Sequence, residues 1–385
     1  MRRLLIVFGT RPEAIKLSPL VLFLRGQASK EFVVRTCVTA QHRGLLDQVL
    51  ATFDVTPDHD LDVMMPGQTL GEVSSRMLAA LEKVMRAEQP DLVIVQGDTT
   101  TTLCGALAAF YQRIPVAHVE AGLRTWDLEQ PFPEEMNRVV TGRLARLHFP
   151  PTAQSAANLR NEGVRAEDIL ITGNTGIDAL FYILRQLESG RLARPEWPFL
   201  DPGRKLLLIT GHRRESFGDG FLRICDALGQ LAKRADVQIV YPVHPNPNVR
   251  GPVNERLGAL PNVHLIEPLD YVPFVDLMSR AEILLTDSGG VQEEAPSLGK
   301  PVLVMREKTE RPEAVEAGTT RLVGTDVTRI AGEVSLLLDD EKEYRRRAAL
   351  HNPYGDGHAC ERIAEGLRSF FAHGKMMPEA VPAAG

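Results

Sequence analysis

Short apolar segments alternating with helix-periodic ones constrain this chain more than any other feature. LLIVF (4–8), FVVRTCVTA (32–40), DLVIVQGD (91–98) and IPVAHVE (114–120) read as strands, and stretches such as SSRMLAALEKVMRAE (74–88) between them read as helices. Strands that are apolar on both faces and separated by helices belong to a parallel sheet covered on both sides. The pattern restarts near residue 204 with KLLLITG (205–211), VQIVYPV (237–243), VHLIE (263–267), EILLTD (282–287) and KPVLVM (300–305). A single core stops growing near ~250–300 residues, so two sets in 385 residues predict two domains. NTGIDALFYILRQLESGRLARPEWP (174–198), a helix followed by a Pro-containing connector, is the natural boundary. The expected organisation is α/β. A Rossmann-like doubly wound domain at 1–173 is rejoined by a last helix at about 361–372, and a second such domain occupies 174–360. The small, Pro-rich tail at 373–385 is expected to be disordered. Doubly wound sheets bind ligands at the carboxyl ends of their strands, so the expected site is a central cleft faced by both sets of strand ends.

Composition narrows the function. The formal charge is −6 with no block of like charge, which argues against a nucleic-acid partner. Cys37, Cys104, Cys225 and Cys360 lie far apart, with no CxxC or Cys/His cluster, so neither a structural zinc site nor a disulfide framework is expected. Reduced, buried thiols are the expectation. The apolar run in MRRLLIVFGTRPE is too short for a signal peptide, and no run approaches the ~20 residues that span a bilayer. The chain reads as a soluble cytoplasmic protein without a membrane partner.

The residues just after the strands are unusually polar. GTRPEAIK (9–16) puts Arg11 at a helix start, where the helix dipole repels a cation by ~0.3–1 kcal/mol. Thr10 and Glu13 have capping-box spacing, which explains the helix start but not Arg11. Lys16, one turn on, either reaches the same ligand or braces an acid. DSGGVQEEAPS (287–297) opens a helix with Ser288, Gly289 and Gly290, where glycines let backbone N–H groups approach a phosphate, although a plain Ser cap fits as well. Glu293 and Glu294 are candidates to accept ribose hydroxyls; capping or a solvated face is the alternative. Asp98 and Glu120 end two strands separated by one crossover, and Glu134 and Glu135 open a helix in PFPEEMNR (131–138). Converging carboxylates suit general acid/base work. Alone, Asp98 reads equally as a cap of the helix at 99–102, and either glutamate as a complement to a helix dipole. TGHRRESFG (210–218) clusters His212, Arg213 and Arg214 at a strand end, His244 stands at the next, and Arg311 precedes a proline at another helix start. No GxGxxG follows the first strand, and neither HExxH nor GxSxG occurs.

Together GTRPEAIK, QGDTTT, HVEAGLR, PFPEEMNR, TGHRRESFG, TDSGGVQEEAPSLGKPVLVMR and TERPEAV resemble the non-hydrolysing UDP-N-acetylglucosamine 2-epimerases, from about residue 3 to about residue 370. The resemblance implies a two-domain fold of the glycosyltransferase-B type with the second domain binding UDP, no metal or other cofactor, and a homodimer. It implies interconversion of UDP-N-acetylglucosamine and UDP-N-acetylmannosamine by anti elimination of UDP and re-addition through 2-acetamidoglucal. Carried over motif by motif, Asp98, Glu120, Glu134 and His212 are catalytic. Arg11, Lys16, Arg213, His244, Phe274 (from YVPF), Ser288, Gly289, Gly290, Glu294 and Arg311 bind the substrate or its UDP. Within the catalytic set, Asp98 and Glu120 are assigned to proton transfer, Glu134 to the positive charge developing at C1, and His212 to the diphosphate. Bacterial members also bind a second substrate molecule as activator near a TAQH-type loop, which Gln41 and His42 match here. A hydrolysing epimerase, a glycosyltransferase on the same fold and a non-catalytic sugar-nucleotide sensor are the rival readings.

Overall fold

The computed structural model describes residues 1–39, 43–65 and 67–376. The strands β1 (Arg2–Phe8), β2 (Phe32–Val38), β3 (His59–Asp60), β4 (Leu92–Gln96), β5 (Val116–Val119) and β6 (Leu147–Phe149) form one sheet. Its order is β3-β2-β1-β4-β5-β6, parallel throughout. A second parallel sheet contains β7 (Lys205–Thr210), β8 (Val237–Pro242), β9 (Val263–Ile266), β10 (Ile283–Thr286), β11 (Val302–Val304) and β12 (Thr320–Leu322), in the order β12-β11-β10-β7-β8-β9. Numbered from its own first strand, each sheet reads 3-2-1-4-5-6, the order of a Rossmann-like doubly wound domain.

The chain divides into two compact units. One comprises Met1–Ala179 and the C-terminal stretch from Tyr354; the other is Leu180–Pro353. The C-terminal helix Ala359–His373 belongs to the first unit, where Asp178 accepts the amides of Ala359 and Cys360 at 3.2 and 2.9 Å. Beyond that helix, Met376 is buried and its amide donates to the Glu167 carbonyl at 3.0 Å.

Every residue of LLIVF is fully buried. Each such apolar side chain contributes ~1.5–3 kcal/mol relative to exposure, which fixes β1 in the middle of its sheet. In the first unit Leu5, Val7, Val93 and Val95 pack with Val73, Met77 and Leu81, the apolar stripe of helix Leu70–Glu88. In the second, Leu207, Ile209, Ile239 and Leu285 pack with Phe221, Ile224 and Leu228 of helix Asp219–Leu231. Three strands were not legible as apolar runs: β3, β6 and β12. Each is two or three residues long at the edge of its sheet, too short for a pattern of period 2 to show. The four cysteines are free and buried. Among the described residues, no helix is long and apolar enough to cross a membrane.

Candidate active site

Strand order reverses between β1 and β4 in the first sheet and between β7 and β10 in the second. At such a reversal the loops after the two central strands part and leave a crevice at the carboxyl edge. Those loops are Gly9–Thr10 and Gly97–Thr99 in the first unit, Gly211–Arg213 and Asp287–Ser288 in the second. GTRPEAIK, QGDTT, TGHRR and TDSGG therefore all land on reversal points.

In the first unit, Thr10 and Glu13 form the capping box of helix Arg11–Gly26. Glu13 does more than cap. It is 1% exposed; Oε2 accepts the Gly9 and Thr10 amides at 3.0 and 2.8 Å and the Thr10 hydroxyl at 2.8 Å. Oε1 accepts the Thr99 hydroxyl at 2.8 Å, tying the β1 loop to the β4 loop. Burial raises the Glu13 pKa above its ordinary value, and the hydrogen bonds only partly oppose this. Gly9 is hemmed in by the residue after β2 and by the helix after β4: a Cβ there would lie 2.0 Å from Thr39 Oγ1 and 2.5 Å from Thr101 Oγ1, so only glycine fits. Arg11, partly exposed, takes the first helical position.

Lys16 braces an acid: Nζ donates to both oxygens of Glu120 at 2.6 and 2.7 Å, and Gln96 Nε2 donates to the same carboxylate. Glu120 stands just past β5 at φ +59°, a left-handed conformation that costs a side-chain-bearing residue on the order of 1–3 kcal/mol. Asp98 is not the cap of the next helix. Thr99 is, with its Oγ1 accepting the Thr102 amide at 3.1 Å. The Asp98 carboxylate instead accepts from Arg138 at 2.6 Å, and the Asp98 carbonyl accepts from Asn137 at 2.9 Å. One residue earlier, His118 Nε2 lies 2.7 Å from the Gly97 carbonyl. A carbonyl only accepts, so Nε2 carries the hydrogen; burial pushes this ring's pKa down to about 4, and it is neutral at pH 7. Glu134 is partly exposed at the start of helix Glu134–Leu144. Its neighbour Glu135 is buried, accepting the Thr125 and Trp126 amides at 3.0 Å each.

In the second unit Asp287 is the organising anion. Its Oδ2 accepts the amides of both His212 and Arg213 at 2.7 Å, and Oδ1 faces His212 Nδ1 at 3.3 Å. Burial alone would raise the Asp287 pKa; the His212 and Arg213 contacts outweigh it and hold the carboxyl below its ordinary range. The His212 ring stacks on His244 with centroids 5.4 Å apart. Burial, then repulsion from His212, lowers the His244 pKa. Its Nδ1 accepts the Asn246 amide at 3.2 Å, which leaves Nε2 as the donor of the neutral ring. Ser288 N-caps helix Gly289–Glu294 without a side-chain hydrogen bond of its own. Arg311 donates to buried Glu293, and its guanidinium lies against Gly289, where a Cβ would be 3.6 Å from Nη2. Glu293 thus serves Arg311, whereas Glu294 is the less buried of the two. Phe274 sits in helix Tyr271–Arg280, ahead of β10. Gln41 and His42 lie outside the described residues.

Gln96, Arg138 and Asp287 were missed as site residues. Asp287 and Arg138 stand inside the quoted motifs DSGG and PFPEEMNR. Gln96, the last residue of β4, stands inside the quoted motif QGDTTT and pairs with Val119, next to Glu120.

Two Rossmann-like sheets, each with polar clusters at its reversal point, define an α/β enzyme whose ligand groups sit at strand carboxyl ends. A family model described as UDP-N-acetylglucosamine 2-epimerase matches residues 25–368. The UDP-N-acetylglucosamine 2-epimerase of Escherichia coli K12 is 59% identical over 372 residues, 95% of this chain and 98% of that one. The crystal structure of the Neisseria meningitidis UDP-GlcNAc 2-epimerase bound to UDP-GlcNAc superposes with a TM-score of 0.86 at 47% identity, covering 95% of this chain and 100% of that one. The structure of S. aureus MnaA with UDP gives 0.87 at 42% identity, covering 99% and 100%. The chain belongs to the UDP-N-acetylglucosamine 2-epimerase family, and is an enzyme of that kind.

Proposed function

We propose that this enzyme interconverts UDP-N-acetylglucosamine and UDP-N-acetylmannosamine without hydrolysis, through 2-acetamidoglucal. The observation that carries the reading is the pair of carboxylates at adjacent strand ends, Asp98 held by Arg138 and Glu120 held by Lys16 and Gln96. The hydrogen on C2 has no adjacent carbonyl, so its direct removal as a proton is unfavourable. Loss of UDP from C1 in the same step supplies the driving force. A carboxylate takes the C2 proton, the C–H electron pair becomes the C1=C2 bond, and the C1–O pair leaves with the diphosphate. In the return step the diphosphate oxygen attacks C1 while the alkene pair takes a proton at C2 on the opposite face, inverting that carbon. One acid/base group per face is needed, and Asp98 and Glu120 fill these roles. Glu134 stabilises the charge developing at C1.

His212, Arg213, His244, Ser288, Gly289, Gly290 and Arg311 hold the departing UDP, the His212 loop being kept in place by Asp287. Fixed donors aimed at a leaving diphosphate are a preorganised electrostatic contribution, worth ~10²–10³ in rate for one donor. Glu294 accepts the ribose hydroxyls, Phe274 packs at the nucleotide, and Arg11 receives the diphosphate. That the N. meningitidis relative binds UDP-GlcNAc supports this substrate. A homodimer, and a second UDP-N-acetylglucosamine acting as activator at Gln41 and His42, belong to the same proposal.

The test is incubation with UDP-N-acetylglucosamine in D2O, following C2 by NMR. Deuterium at C2 together with UDP-N-acetylmannosamine is expected. Free N-acetylmannosamine would favour a hydrolysing enzyme, and no exchange would sink the reading.

A further inference from the structure

Helix Glu134–Leu144 grips the Asp98 loop twice, through Asn137 on the Asp98 carbonyl and Arg138 on its carboxylate. Arg138 is 5% exposed, and taking a guanidinium out of water is costly unless its partners are well placed. Its fork has two of them. Nη2 meets Asp98 Oδ2 at 2.6 Å, and Nη1 meets the fully buried Glu135 Oε2 at 3.1 Å. Glu135 is itself locked by the Thr125 and Trp126 amides. The Asp98 side chain, by contrast, remains 31% exposed, at the rim of the reversal point. A buried anchor thus holds one oxygen of a carboxylate whose side chain stays partly exposed. His118 and Asn137 hold only the backbone carbonyls of this loop, so the orientation of the Asp98 side chain depends on Arg138.

We infer that Arg138, seated on Glu135, is a positioning residue for the epimerisation: it holds Asp98 Oδ2 and leaves Oδ1 to exchange the C2 proton. This rests on the assignment of Asp98 to proton transfer. A carboxylate displaced by ~1 Å from its acceptor geometry loses about 10²-fold in rate.

The test compares Arg138→Lys with the double variant Arg138→Met, Glu135→Gln, in which no buried charge is left without its partner. In the double variant, kcat and C2 deuterium exchange should fall about 10²-fold, while UDP affinity and KM stay within about threefold. Arg138→Lys, which keeps the cation but not the fork, should regain about tenfold of that loss. A double variant with parental kcat, a parallel loss of UDP binding, or a lysine variant no better than the double one overturns the inference. If the double variant does not fold, Arg138→Lys alone decides, and parental kcat refutes it. Asp98→Asn is the control. Inactive Asp98→Asn beside a normal Arg138 variant sinks this inference only; active Asp98→Asn sinks the assignment it rests on.

Discussion

Glu13 offers the sharpest test of how the first unit is held. Glu13→Ala removes the acceptor of the Gly9 and Thr10 amides and of the Thr10 and Thr99 hydroxyls. A buried donor left without a partner costs ~1–3 kcal/mol. With two amides stranded, the expected loss is roughly 3–5 kcal/mol after partial relaxation. Glu13→Gln keeps one oxygen for the amides and loses mainly the hydroxyl contacts, so its cost should be about 1–2 kcal/mol. The two variants also differ in their response to pH. Burial raises the folded-state pKa of Glu13 above 4.5, so as pH rises past 4.5 the unfolded chain releases this proton first. The parent therefore loses stability from this group as pH rises from 4.5 towards the folded-state value, and the Gln variant does not. Urea unfolding followed by circular dichroism at pH 5, 6 and 7 should show Glu13→Gln gaining on the parent as pH rises, with Glu13→Ala the weakest throughout. Equal losses for Ala and Gln, or a Gln variant that falls further behind at pH 7, would refute this account of the tie.

Lys16→Met should lower kcat by ~10²–10³-fold and leave UDP affinity within about twofold; a parallel loss of UDP binding would put Lys16 on the nucleotide and not on Glu120. Asp287→Asn should weaken UDP binding about tenfold by loosening the His212–Arg213 loop, read by calorimetry. Its stability deficit should be complete above pH 3.8, the ordinary value, and shrink as pH falls through the depressed folded-state pKa. Burial raises the thiols of Cys37 and Cys225 to about 12 and that of Cys104 to about 11. All four cysteines should therefore resist Ellman's reagent in the native protein and react once it is unfolded.

Fold class, the duplication of the α/β pattern and the loops that matter were all legible in the order of residues. Central parallel strands are buried on both faces, so LLIVF or EILLT declares itself without any knowledge of its partners, and the polar residue that ends each run is conspicuous. The capping box at Thr10 and Glu13 was equally legible, because its chemistry is local. Pairings between distant segments were not legible. Nothing in GTRPEAIK says that Lys16 serves Glu120, 104 positions on, and nothing in QGDTT says that Asp98 answers to Arg138. Glu293 and Glu294 are adjacent, identical residues, and only packing turns the first onto Arg311. The three short edge strands escaped for the same reason, since a neighbouring strand defines them more than their own composition does. Hydrophobic periodicity records whether a residue faces water, a property each position carries alone. Which charge meets which is decided only when the crossovers bring strand ends together, and that is a property of the tertiary fold.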